Sequence, residues 1–218
     1  MNRSAFSVLA AASLAGAASA QVVSVIGGQT SVLLDTQTLS AAASLDLSGV
    51  SGDVINPGSI PGSVAFGINA RDAASLPTTF AYDPSDFLGT FGGTIEHTGS
   101  VFFNANAIEV GNFTIGFDGS RVGGDRSGFF VQSTAGIDAV LFDVGAPSVL
   151  DPGTDALTIR ADLLVSGEFG QFLFDNGFSA ANLAGADVGD ALVQATVPTP
   201  GAFAAIGAMG LLAARRRR

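Results

Sequence analysis

Several residue types are missing from this 218-residue sequence: it contains no cysteine, lysine or tryptophan, and it has a single histidine, His97, and a single tyrosine, Tyr82. Without cysteine the chain has neither disulfides nor the modified N-terminal cysteine of a lipoprotein. Without lysine, Schiff-base chemistry and Lys–Asn isopeptide cross-links are excluded. One histidine also falls short of the several histidine or cysteine ligands that a zinc site usually needs.

His97 is the first candidate for catalysis, and its sequence context, TIEHT, carries no catalytic motif. A Ser-His-Asp triad is arithmetically possible, but no G-x-S-x-G turn is present to expose a serine. Nineteen acidic residues include pairs that could cleave glycosides, yet no spacing singles out one pair. We therefore interpret His97 as an ordinary strand position and predict that the protein is not an enzyme. A secreted hydrolase is the alternative that depends on His97 or an acidic pair.

Basic residues are scarce between residues 21 and 197, where all nineteen acidic residues lie beside only four arginines: Arg71, Arg121, Arg126 and Arg160. The resulting formal charge of this segment is −15, against −10 for the whole chain. Such a charge repels nucleic acid and anionic membranes and keeps a protein soluble by self-repulsion. We predict no nucleic-acid partner.

Residues 1–20 have the order of parts found in a secretory signal peptide. Arg3 precedes an apolar run from Ala5 to about Ala12, and Ala18-Ser19-Ala20 is an A-x-A site at which signal peptidase could cut before Gln21. A buried N-terminal helix is the alternative interpretation. The order of charge, apolar run and small residues favours export.

The C-terminal end combines a short apolar run with four arginines. The thirteen apolar or small residues from Ala202 to Ala214 fall below the roughly 17–20 residues of a membrane-spanning helix. The arginines would stay on the cytoplasmic side. This predicts a weak, transient span, and a permanent membrane anchor is the alternative. The residues of the predicted signal are Val197, Pro198, Thr199, Pro200, Gly201, Arg215, Arg216, Arg217 and Arg218.

The order VPTPG, apolar run and arginine cluster resembles a PEP-CTERM sorting signal, which exosortases recognise in bacteria with exopolysaccharide-rich surfaces. Thr199 stands where that family has glutamate, and an archaeal PGF-type tail is a related possibility because Phe203 follows shortly after Pro200-Gly201. The resemblance implies signal peptidase and an exosortase-like enzyme as partners, with contact to exopolysaccharide possible. Phrases such as VGNFTIGF, from Val110 to Phe117, also resemble secreted proteins of uncharacterised role that carry such tails.

Period-two alternation dominates the segment between the two ends. In ALTIRADLL, from Ala156 to Leu164, apolar and polar side chains alternate as in a half-buried strand. The alternating runs 108–110 and 113–117 are out of phase, which predicts a bulge or turn at Gly111-Asn112. Further predicted strands are 21–26, 31–34, 44–50, 63–68, 94–104, 128–133 and 139–144. One helix is predicted from Ser166, its cap, to Gly177.

These signals predict an all-β fold, a single antiparallel β-sandwich or barrel-like domain with one short helix. The predicted organisation is a signal peptide at 1–20, a β-rich secreted domain at 21–197 and a sorting or anchor segment at 198–218.

Three acidic turns are candidates for calcium, which takes six to eight oxygen ligands. One turn runs from Asp118 to Asp125, a second from Asp151 to Asp155, and a third from Asp83 to Asp86. None matches the EF-hand loop or the glycine-rich nonapeptide repeat, and aspartate before glycine or proline is also ordinary turn chemistry. We predict no required cofactor, with Asp118, Asp125, Asp151 and Asp155 as the calcium candidates.

The sequence favours an exported, non-enzymatic protein of the cell surface, outer membrane or extracellular matrix, delivered by its C-terminal signal. The alternative is a lectin-like carbohydrate-binding module, with or without calcium. Against the alternative, the absence of tryptophan removes the usual stacking platform for sugar rings and leaves only Tyr82.

Overall fold

The structure, a computed structural model, describes residues 21–198. The predicted signal peptide and the predicted sorting residues from Thr199 to Arg218 lie outside the described residues. The described strands are β1 Val23–Ser24, β2 Gly27–Leu34, β3 Leu47–Val50, β4 Val64–Gly67, β5 Ala81–Tyr82, β6 Ile95–Glu96, β7 Ser100–Phe103, β8 Ile108–Gly111, β9 Thr114–Phe117, β10 Arg126–Ser133, β11 Ala135–Gly136, β12 Ala139–Gly145, β13 Val149–Pro152, β14 Ala156–Val165 and β15 Asp187–Thr196. The described helices are α1 Thr36–Ala43, α2 Phe87–Thr90 and α3 Gly167–Asp175, with a 3₁₀ turn at Gly119–Arg121.

Nine of these strands form one antiparallel sheet whose two ends meet. The strand order is β4, β2, β15, β14, β12, β10, β9 and β6, and β13 also pairs with β14. Just beyond β4 and β6, Ile68 and His97 form an isolated antiparallel bridge. Next to it, the Asn69 amide donates to the Glu96 carbonyl at 2.8 Å. The sheet is therefore a barrel closed at a short seam, which confirms the predicted all-β, barrel-like class.

The two longest strands, β14 and β15, lie side by side in this sheet and pair over most of their length. Along β14, Leu157, Ala161 and Leu163 are at most 2% exposed. These are the positions that the alternation placed on the buried face, so the burial pattern of this strand is confirmed.

A long bent hairpin links the barrel to a second sheet. Its lower part, β6 paired with β9, belongs to the barrel, while its upper part, β7 paired with β8, belongs to a four-stranded sheet ordered β11, β8, β7, β3. At the bend, Gly99 and Asn112 have φ of 120° and 48°, and the Asn112 amide donates to the Gly99 carbonyl at 2.8 Å. The predicted interruption at Gly111-Asn112 is thus a change of sheet. The single strand predicted over 94–104 is wrong, because the chain changes sheets there too.

The predicted helix at Ser166 is confirmed as α3. The Ser166 hydroxyl accepts from the Phe169 amide at 3.0 Å, as an N-cap does, and donates to the Val140 carbonyl at 2.6 Å. The two helices α1 and α2 were not predicted. They are capped by Asp35 and Asp86, whose carboxylates accept backbone amides of the first turn.

Two clusters of buried apolar side chains fill the molecule. The larger contains Leu39 of α1, Phe169 of α3 and the buried face of β7 and β8. The smaller contains Phe80, Tyr82 and Phe87 beside the other end of β14 and β15. The barrel interior lies between them.

Candidate functional site

His97 lies at the bend of the hairpin and at the barrel seam, and it is 1% exposed. Its backbone amide donates to the Phe113 carbonyl at 2.9 Å, and its Nδ1 lies 3.0 Å from the same oxygen. A carbonyl oxygen only accepts, so Nδ1 carries the proton. The neutral ring then accepts at Nε2 from the Thr30 hydroxyl, 2.8 Å away.

Burial lowers the pKa of His97 to about 4, against the opposing effect of the hydrogen bond to the Phe113 carbonyl. The ring is therefore neutral near pH 7, and both of its nitrogens are occupied. A general base needs to reach the proton that it abstracts. His97 instead joins β2, β6 and β9, which gives it a structural role that its sequence context did not reveal.

The barrel interior encloses a cavity of ≈ 90 Å³. Both apolar clusters contribute to its walls, from Leu39 and Phe103 on one side to Phe129 and Ile159 on the other. Thr30 is the one further polar residue on the wall besides His97. Among the described residues, no buried side-chain nitrogen or oxygen lacks a hydrogen-bond partner. The cavity is consequently lined by hydrocarbon, with its two polar side chains bonded to each other.

Two large apolar residues on the inner face of the sheet are exposed to solvent. Residues directly opposite each other in an antiparallel pair point to the same face, and Phe117 is opposite Phe129 while Leu150 is opposite Ile159. Phe129 and Ile159 line the cavity, so Phe117 and Leu150 also face inward. Yet Phe117 is 43% and Leu150 39% exposed. We call these two inward-facing, exposed residues the open end.

Phe91 packs against Phe117 and against its cross-strand partner Phe129. Its ring centroid lies 4.9 Å from that of Phe117 and 5.0 Å from that of Phe129. Nearby, Val122 is 56% exposed. The sheet also has an unpaired edge beside Leu150, because β13 pairs with β14 and has no strand on its other edge within residues 21–198.

An ion-pair network holds the loop that follows Phe117 in the sequence. The Arg121 guanidinium donates to Asp143 Oδ1 at 2.8 Å and to Glu168, and Arg126 lies 3.5 Å from Asp143 Oδ2. Asp143 is only 3% exposed. Burial acts to lower the pKa of Arg121, but its bonds to Asp143 and Glu168 outweigh burial and raise it. Arg121 also lies 5.6 Å above the Phe130 ring.

The four calcium candidates are all exposed in the structure. Asp118 accepts from the Ser120 amide and hydroxyl, each at 2.8 Å, and these bonds lower its pKa. Asp151 and Asp155 lie near the Tyr82 hydroxyl, whose pKa rises to about 12 through burial and through these two charges. Within residues 21–198 no group of three or more His, Asp or Glu side chains is placed to hold a metal ion. Asp83 and Asp86 likewise serve their own turns, bonding Ser85 and Gly89.

Tyr82 is fully buried, and its hydroxyl donates to the Gly153 carbonyl at 2.7 Å. It therefore offers no face on which a sugar ring could stack.

Two residues of the predicted sorting signal belong to the described part of the chain. Val197 is 3% exposed and its amide donates to the Asp155 carbonyl at 3.0 Å; Pro198 is half-buried. Val197 is thus part of the folded body. Among residues 21–198 there is no helix with the length and apolarity needed to cross a membrane.

No protein-family model and no curated protein sequence matches the chain. Among solved structures, the C-terminal domain of HtaA from Corynebacterium glutamicum is similar in fold, with a TM-score of 0.51 and 15% sequence identity. The match covers 81% of this chain and 99% of that domain. At this identity the likeness shows a shared β fold.

Proposed function

We propose that the protein is exported and acts, without catalysing a reaction, at the cell surface or in the extracellular matrix, where a C-terminal sorting signal delivers it. The observation that carries this proposal is the position of the barrel between the two predicted signals. The last strand among residues 21–198, β15, lies inside the sheet between β2 and β14 and ends at Thr196. Cleavage before Gln21 and after about Pro200 would leave every paired strand intact.

The negative charge of the folded body supports the proposal that the protein acts outside the cytoplasm. All nineteen acidic residues belong to it, and the calcium candidates among them are exposed. A protein of this charge is soluble and self-repelling, and it avoids anionic membranes. Stability then depends on non-covalent interactions without disulfides, since the sequence contains no cysteine.

The non-catalytic part of the proposal is supported by His97. This only histidine is enclosed, neutral and bonded at both ring nitrogens. A secreted hydrolase that used it would first have to open the barrel seam.

Fractionation of the native cells tests delivery. We expect the wild-type protein in the surface or matrix fraction, and loss from that fraction when alanine replaces Arg215, Arg216, Arg217 and Arg218. Arg160→Ala is the matched control, because it removes an arginine of the body whose ion pair with Asp190 is partly exposed. It should leave the location unchanged.

Two results would overturn this proposal. Wild-type protein in the cytosol with its leader attached would exclude export, and an unchanged location of the alanine variant would exclude delivery by the tail. If the protein is found in a membrane fraction with its terminal arginines intact, the C-terminal segment is a permanent anchor and is not cleaved.

Carbohydrate binding stays a prediction. The buried Tyr82 offers no platform for a sugar ring. The acidic turns within residues 21–198 do not form a calcium site. Glycan-array binding that requires calcium would favour it over the structural role.

A further inference from the structure

We propose that the barrel interior is a binding site for a small, narrow, uncharged hydrocarbon chain, which enters at the open end formed by Phe117 and Leu150. The inference goes beyond the proposed function and does not depend on export. It starts from the unfilled interior: side chains in protein cores normally pack with few voids larger than a water molecule, whereas this barrel keeps ≈ 90 Å³ free.

The chemistry of the wall selects an apolar occupant. Thr30 and His97 are the polar side chains of the wall, and each satisfies the other. A buried water needs two to four polar partners, and no unpaired buried side-chain atom exists among the described residues to supply them. A charged or strongly polar ligand would be stripped of water without compensation.

The size and shape of the cavity favour a thin chain. Its volume is smaller than the ~150 Å³ of an engineered apolar cavity that accepts benzene. Its walls nevertheless include residues of both core clusters, Leu39 and Phe103 from one and Phe129 and Ile159 from the other. A small volume that reaches from one cluster to the other is narrow, which suits an unbranched alkyl chain better than a ring.

The open end supplies the route. Phe117 and Leu150 face the interior and yet remain 43% and 39% exposed, and the edge of β13 beside Leu150 has no neighbouring strand in residues 21–198. Exposed apolar side chains at the mouth of a barrel are a common entrance for apolar ligands. Arg121 bonds to Asp143 and Glu168 and so holds the loop after Phe117 against the barrel.

The test is a titration of the full chain with n-butane, followed by NMR of the protein methyl groups. We expect saturable shifts at Leu163 and Val193, which line the cavity, and none at Val22, which is 62% exposed. Cyclobutane, a ring with the same number of carbons, should give weaker effects. Shifts that grow linearly everywhere, or no shift at the lining methyls, would overturn the site. Equal saturation by cyclobutane would overturn its preference for a narrow chain.

A substitution that fills the cavity gives a second, independent test of the binding site. Ala161 lines it and is 2% exposed, so Ala161→Leu should abolish the saturable shifts. Ala156→Leu, at an exposed position of the same strand, should leave them unchanged. Retained binding in a folded Ala161→Leu variant would contradict the assignment. If that variant does not fold, the site is tested by the wild-type protein alone, through the difference between the shifts of the lining methyls and those of the exposed methyls.

Discussion

The Thr30 hydroxyl and the His97 imidazole form a 2.8 Å hydrogen bond inside the barrel, beside its seam, although the two residues are 67 positions apart in sequence. Together with the His97–Phe113 bonds, it ties β2, β6 and β9 at the seam where the sheet closes. The only histidine therefore stabilises the barrel from inside its apolar cavity.

Removing the Thr30 hydroxyl should weaken the fold. Thr30→Val keeps the side-chain shape but leaves His97 Nε2 without a partner in an apolar wall. We expect the free energy of unfolding to fall by about 1–3 kcal/mol, measured by urea denaturation. Thr196→Val, at an exposed strand position, should change it by less than about 0.5 kcal/mol. Equal effects of the two substitutions would contradict the role given to this bond.

His97 should also make stability depend on pH. Its pKa is about 4 in the folded protein and 6.5 in the reference state, so the unfolded chain binds the proton first as the pH falls. The stabilisation is complete above pH 6.5, is lost as the pH falls from 6.5 to about 4, and totals about 3 kcal/mol. His97→Gln should lack this component. The difference between the two stability curves isolates it, and parallel curves would contradict the buried neutral ring.

Arg121 should matter more than its position in a surface loop suggests. Arg121→Gln leaves Asp143, which is 3% exposed, with only the longer contact to Arg126. We expect a loss of about 2 kcal/mol or more, because a buried charge loses its partner. Arg160→Gln breaks the more exposed pair with Asp190 and should cost only about 0–1 kcal/mol. Thermal or urea unfolding of both variants compares them, and a smaller loss for Arg121→Gln than for Arg160→Gln would contradict the network.

The N-cap residue of α3, Ser166, should contribute to the stability of the fold. Ser166→Ala removes both the bond to the Phe169 amide and the bond to the Val140 carbonyl at a fully buried position. The expected cost is about 1–2 kcal/mol. The exposed Ser148 also donates to a carbonyl, so Ser148→Ala is the control. If both substitutions shift the unfolding midpoint equally, Ser166 does not act as proposed.

Much of the fold follows from local pattern. Alternation along β14 and the cap at Ser166 are local signals, and both predict the observed elements. The phase change at Gly111-Asn112 also marks a real change of direction. The sequence could not show that the chain changes sheet there, because that depends on which distant strands pair on either side.

The features of the candidate site depend on long-range contacts. The seam joins Ile68 to His97, and the loop network joins Arg121 to Glu168, 47 residues away. Period-two analysis says nothing about such pairs. α1 was missed because threonine at its first and third positions favours strands, and α2 is only four residues long.

The most direct test of export and processing is the intact mass of the protein isolated from the surface or matrix fraction of its native cells. We predict a mass that lacks Met1–Ala20 and everything after about Pro200, with Val197 retained in the folded body. A full-length mass, from leader to final arginine, found in the cytosol would contradict the proposal.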